Sequence, residues 1–108
     1  MNMNSMEISV EELKQKLDKG EKPFLLDVRE PVEHQIASIG GLLIPLRQVP
    51  ERVSELDANQ EIIVYCHTGS RSERAVSYLH DQGFKNVKNL VGGIEAWSRR
   101  IDTKVPRY

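Results

Sequence analysis

The chain of 108 residues holds one cysteine, and the residues around it make it the first candidate for chemistry. Cys66 follows the apolar run Ile62-Ile63-Val64-Tyr65 and precedes His67-Thr68-Gly69-Ser70-Arg71-Ser72. The apolar run reads as a buried strand. Ser70 to Gln82 has helical apolar spacing, with Ser70 and Glu73 as a capping-box pair and Gly83 as its stop. Cys66 therefore falls at the carboxyl end of a strand, on a short loop entering a helix. Parallel α/β sheets bind ligands at that end. The first N–H groups of a helix lack partners within it, so such a loop gathers donors toward one point and favours an anion. A thiolate is such an anion, and donors or cations around a thiol favour its formation. Gly69 can take a positive φ, Thr68 and Ser70 crowd nothing, and His67 and Arg71 add positive potential. This arrangement suits attack by one sulfur and the holding of negative charge on it. Without that loop, a free cysteine at a strand end would read as core filler.

A single cysteine also excludes: no intramolecular disulfide can form, and no cysteine cage for zinc can close. His34 sits in a polar segment and His80 inside a helix, so nothing pairs them as metal ligands, and no metal or organic cofactor is expected. Fifteen Lys and Arg against sixteen Asp and Glu leave a net charge of -1, which gives no overall attraction to nucleic acid or an anionic membrane. No run of about 18 apolar residues spans a bilayer, and Met1 to Met6 lacks the apolar core of a secretory signal. The expectation is a cytoplasmic protein, in a reducing setting that suits a free thiol.

The elements that must position the cysteine alternate along the chain. Ser9 and Glu12 form a capping-box pair ahead of Val10, Leu13 and Leu17 on one helical face, and Gly20 ends that helix. Pro23 to Val28 reads as a buried strand, Pro31 to Ile36 as a brief helix, and Ile39 to Leu46 as extended or turn-rich chain. A helix is predicted around Leu46 to Leu56 despite Pro50. Val87 to Val91 reads as the last strand, and Ile94 to Arg100, after Gly92-Gly93, as the last helix. This alternation predicts an α/β fold: a single domain with a central, mainly parallel sheet and helices on both faces. Asp27 closes a buried strand and is expected to cap a turn or pair with a cation. Arg29 either neutralises it or lines the entrance for a substrate. Residues 6–101 are expected to form the domain, with 1–5 an extension and 102–108 a loose tail.

The chain resembles the rhodanese family of sulfurtransferases over Met6 to Arg100. Asp27-Val28-Arg29-Glu30 is similar to the family's post-strand signature, and Ile39-Gly40-Gly41-Leu42-Leu43-Ile44-Pro45 to its glycine-to-Ile-Pro segment. Cys66 to Ser72 is similar to its six-residue active-site loop and the residue after it. Gly83-Phe84 and Asn89-Leu90-Val91-Gly92-Gly93-Ile94-Glu95-Ala96-Trp97 are similar to its closing motif. The resemblance implies a catalytic Cys66 that accepts sulfane sulfur as a persulfide. It implies that the loop's N–H groups hold the outer sulfur; His67, Thr68, Gly69, Ser70, Arg71 and Ser72 are the expected substrate-binding residues, with Arg29 a further candidate at the donor entrance. Thiosulfate is the small donor it suggests, and a protein sulfur donor or acceptor is a further expected partner. Ser38 stands where many members carry His, and the segment to Pro45 is one residue shorter than the commonest form.

Three other readings compete. Cysteine phosphatases and arsenate reductases of the related fold use a loop one residue longer, and here only four residues separate Cys66 from Arg71, with Arg74 too far along. A non-catalytic rhodanese-like binding module would dock a partner without the thiol. A redox sensor would need an outside thiol to resolve oxidised Cys66.

Overall fold

The computed structural model describes residues 6–108, so the expected extension 1–5 lies outside the described residues. Ile62–Tyr65 forms β4, with all four side chains buried. Successive strand residues point to opposite faces, so β4 feeds two cores. Ile62 and Val64 join Leu26, Val76 and Leu79 on one face, and Ile63 and Tyr65 join Leu13, Leu90 and Trp97 on the other. Burial on both faces is the condition of a parallel strand. β4 pairs with β2 (Phe24–Asp27) and β5 (Val87–Leu90), while β1 (Glu7–Ile8) and β3 (Leu42–Leu43) form the edges. The order is β1-β5-β4-β2-β3, and every pairing is parallel. Helices α3 (Val49–Arg52) and α4 (Ser70–Asp81) cover the first core, and α1 (Val10–Asp18) and α5 (Gly93–Arg100) the second. Helix α2 (Pro31–Ile36) buries no residue and follows β2 at the carboxyl edge of the sheet. The α/β fold with helices on both faces is as the sequence predicts.

Four details differ. The edge strand β1 has only two residues, too few to display an alternation. The predicted helix at 46–56 is broken into a 3₁₀ turn at Leu46–Gln48, α3, and another 3₁₀ turn at Val53–Glu55. Pro50 lies in the first turn of α3, where its missing N–H costs nothing. The Ser9–Glu12 capping box forms in both directions, at 2.9 and 3.0 Å, but the Ser70–Glu73 pair does not cap α4. Gly69 is the N-cap, at φ +112°, and its carbonyl receives the Glu73 N–H at 3.1 Å. The chain must turn left-handed at that point, which glycine does at little cost.

The fourth difference is the segment 102–108, which is packed rather than loose. Ser98 Oγ donates to the Val105 carbonyl, Val105 packs on the α1–α5 core, and Tyr108 reaches the cysteine loop. An apolar Val105 and an amphipathic Tyr108 give this segment surface to bury.

Candidate active site

Cys66 follows β4 directly and is 1% exposed. Its Sγ receives the Gly69 N–H at 3.1 Å and the Ser72 N–H at 3.4 Å, with Ser72 Oγ at 3.3 Å. These donors come from the cap and first turn of α4, where backbone N–H groups have no helical partner. The Asn89 amide donates to the Gly69 carbonyl at 3.2 Å, which fixes its orientation and turns Oδ1 to accept from Ser72 Oγ. The Ser72 oxygen facing the sulfur is thereby held in place. The far side of the loop is bound as firmly: the Cys66 and His67 carbonyls accept the Ile94 and Glu95 N–H groups of α5, both at 3.0 Å. Gly93 makes that approach possible. It lies at φ +61°, and a Cβ there would sit 2.5 Å from both carbonyl oxygens.

The charges expected around the sulfur are mostly neutralised. Arg71 donates to Glu33 through both terminal nitrogens, at 2.7 and 2.9 Å. Arg71 holds the Glu33 carboxyl down to a pKa of about 2, and Glu33 in turn raises that of the guanidinium. His67 Nε2 is buried without a hydrogen-bond partner, 3.7 Å from Glu95 Oε1, and its ring stacks on Tyr108 at 4.1 Å. The positive character left to the sulfur therefore comes chiefly from backbone N–H groups and the start of α4. Thr68 and Ser70 are exposed on the loop, and Gly69 and Ser72 are buried beneath it.

Arg29 corrects one expectation. It is 0% exposed and lines no entrance. Its Nε and one terminal nitrogen donate to the buried Asp27 carboxylate at 2.9 and 2.8 Å, and the Ala37 carbonyl accepts at 2.7 Å. A buried guanidinium needs a counter-charge and an acceptor for each N–H; Asp27, the Glu33 and Ala37 carbonyls and the Tyr108 hydroxyl supply them. Burial works against its charge, but these bonds outweigh it and raise the pKa. His34 Nδ1 is 2.8 Å from the same Asp27 carboxylate.

The structure thus brings Cys66, His67, Thr68, Gly69, Ser70, Arg71 and Ser72 together and sets Arg29 apart as a buried tie. It adds Asn89, Glu33 and Tyr108, which sequence reasoning missed. For one of them the available signal was Asn89, a polar residue between Lys88 and Leu90 at the carboxyl end of the last strand. Beside Arg71 a groove of about 530 Å³ has Leu46, Val49 and Tyr78 on its walls and Arg47 and Arg74 among its charged residues. Among the described residues no group of three or more His, Cys, Asp or Glu is placed to hold a metal ion, and no helix is long and apolar enough to cross a membrane.

Comparison with known proteins agrees with this fold. A sulfurtransferase of Allochromatium vinosum is 40% identical over 86% of this chain and 88% of its own length. An adenylyltransferase and sulfurtransferase of Arabidopsis thaliana is 35% identical over 94% of this chain, which spans only 25% of that protein. Length differs among relatives: the chain spans 52% of one from Bacillus subtilis that is 45% identical. The crystal structure of a rhodanese-related protein from Thermoplasma volcanium superposes with a TM-score of 0.80 at 30% identity, covering 88% of this chain and 92% of that one. The family model for the rhodanese-like domain matches residues 9–100, from the cap of α1 to the end of α5. A strand-end cysteine in a loop capped by α4 and backed by α5 is thus set within a match that spans nearly the whole fold, and the chain belongs to the rhodanese-like domain family.

Proposed function

We propose that this chain is a sulfurtransferase that carries sulfane sulfur on Cys66. The observation behind the reading is the pair of N–H groups, from Gly69 and Ser72, converging on the sulfur of the sole cysteine at the start of α4. Thiolate Cys66 attacks the outer sulfur of a donor such as thiosulfate. The new S–S bond forms as the donor's S–S bond breaks, and sulfite leaves with the bonding electron pair. The persulfide anion remains on Cys66, with charge on the outer sulfur. An acceptor nucleophile then attacks that sulfur, takes it, and returns Cys66 as thiolate. Cyanide would become thiocyanate, and a thiol would become a persulfide. The chemistry follows thiol–disulfide exchange, so both partners reach the sulfur in line with the bond that breaks.

The Gly69 and Ser72 N–H groups stabilise the thiolate, while Arg71 and His67 shape the loop's two flanks. Arg71, which an oxyanion encircled by the loop would need, is engaged by Glu33, and this favours sulfur over phosphate. The relatives' sulfurtransferase names support the same reaction class. The groove beside Arg71 is the approach we assign to a protein or small-thiol partner, and a reducing cytoplasmic setting suits the free thiol.

The test is direct. Incubation with thiosulfate, or with a persulfide-bearing cysteine desulfurase, should add one sulfur atom to Cys66 by intact mass, and cyanide should remove it as thiocyanate. A folded sample that gains no sulfur from either donor would overturn the reading.

A further inference from the structure

The segment 102–108 ends in a side chain that touches one flank of the cysteine loop directly and the other through Glu33. The Tyr108 ring stacks on His67, the residue after Cys66, with centroids 4.1 Å apart and planes 11° from parallel. The Tyr108 hydroxyl donates to Glu33 Oε2 at 2.9 Å, and the same carboxylate holds Arg71, the last residue of the loop. The hydroxyl oxygen also accepts from Arg29 at 2.7 Å, which ties the segment to the buried Asp27–Arg29 pair. Val105 and the Ser98–Val105 hydrogen bond anchor its other end on α5. Cys66 lies inside this loop at 1% exposure, so a reagent must pass the flanking groups to reach the sulfur.

We infer that residues 102–108 are a strap over the cysteine loop, and that Tyr108 is a positioning residue that limits the size of the molecules reaching Cys66. Closed, the strap fixes His67 by its ring and Arg71 through Glu33. Open, it frees both flanks at once, because one side chain serves both. A donor or acceptor as small as thiosulfate or cyanide passes with the strap closed. A bulky thiol or a protein acceptor requires it to move. In its bearing on acceptors the inference rests on the sulfur-transfer reading; in its bearing on access it does not.

The sole cysteine makes access measurable without any sulfur chemistry. Alkylation of Cys66 by small iodoacetamide and by a bulky dye-maleimide is followed by intact mass in the wild type, Tyr108→Phe and Tyr108→Ala. Tyr108→Phe keeps the ring and removes the hydroxyl tether. It loses the hydroxyl's two hydrogen bonds and should raise the bulky-to-small rate ratio about fivefold or more, about fivefold being the shift that a single such bond gives a closed–open equilibrium. Tyr108→Ala should raise it about tenfold or more. A merely structural tyrosine would speed both reagents in parallel and leave the ratio unchanged, and that result overturns the strap. If Tyr108→Ala fails to fold by circular dichroism, Tyr108→Phe alone decides. Discharge of the thiosulfate-loaded persulfide to cyanide and to glutathione gives the second arm. A changed alkylation ratio without any persulfide keeps the strap and sinks sulfur transfer. Persulfide formation with an unchanged alkylation ratio does the reverse.

Discussion

β2 and β4 lie side by side, and each leads at its carboxyl end into a polar group followed by an arginine. At the end of β2 these are Asp27 and Arg29; at the end of β4 they are Cys66 and Arg71. In the first turn every charge is closed on itself. Asp27 and Arg29 are both 0% exposed and neutralise each other, while backbone groups, His34 and the Tyr108 hydroxyl take the remaining hydrogen bonds. In the second, the arginine is turned outward to Glu33, and backbone N–H groups point at a sulfur that carries no fixed counter-charge. The same topological address therefore serves stability on one strand and reactivity on its neighbour. The difference lies in where donors point, since both turns are equally rich in polar groups.

Substitution of the two key residues should separate these roles most sharply. Cys66→Ser should abolish sulfur transfer and leave the melting temperature close to that of the wild type. Asp27→Asn should cost about 3–5 kcal/mol of stability, because it leaves the buried Arg29 charge uncompensated. Its folded fraction should still load sulfur on Cys66. Urea unfolding and persulfide mass on both variants measure the two effects together. A Cys66→Ser protein that still transfers sulfur, or an Asp27→Asn protein of wild-type stability, breaks the comparison.

Gly93→Ala tests whether the reactive turn depends on its backing. A Cβ would meet the carbonyl oxygens of both Cys66 and His67, and the crowding should cost about 1–3 kcal/mol. Activity should fall further than this loss explains, since the Ile94 and Glu95 N–H groups would be pushed off the loop. Persulfide yield per folded molecule, measured well below the melting temperature, is the deciding quantity.

The smallest effect is on acid stability. Glu33 has a carboxyl pKa of about 2 in the folded chain against 4.5 for the ordinary group. Its ion pair with Arg71 therefore contributes stability fully above pH 4.5, and that contribution is lost as pH falls from there through about 2. Glu33→Gln should be slightly less stable at neutral pH and should show a flatter acid limb. Chemical denaturation at a series of pH values gives both curves, and parallel curves would mean that the pair contributes nothing.

Much of the fold was legible because its signals are local. The Ile62–Tyr65 run, the Ser9–Glu12 cap and the Pro31 helix start each act within a few residues, and each appears where the sequence places it. The cysteine loop was legible for the same reason: its donors come from the three to six residues after the sulfur. Arg29 was not, because entrance and buried tie differ only in which way a side chain turns. Glu33 and Tyr108 were further out of reach, being 38 and 37 residues from Arg71 in the chain and joined to it only by tertiary packing. The Ser70 cap failed at a finer level. A capping-box pattern was present, but the loop's need for a left-handed residue gave the cap to Gly69 instead.

The contact between Gly93 and the carbonyls of Cys66 and His67 also sets an order of events during synthesis. The nucleophile is made 29 residues before Glu95, whose N–H completes the backing of its loop. A nascent chain that has just passed Cys66 therefore bears a thiol in an ordinary, solvated setting, with neither α4 nor α5 in place to organise it. Domains fold as units while synthesis proceeds. The reactive sulfur should then arise only once α5 docks, so an incomplete or proteolysed chain lacking that helix would display a cysteine without acquiring the chemistry.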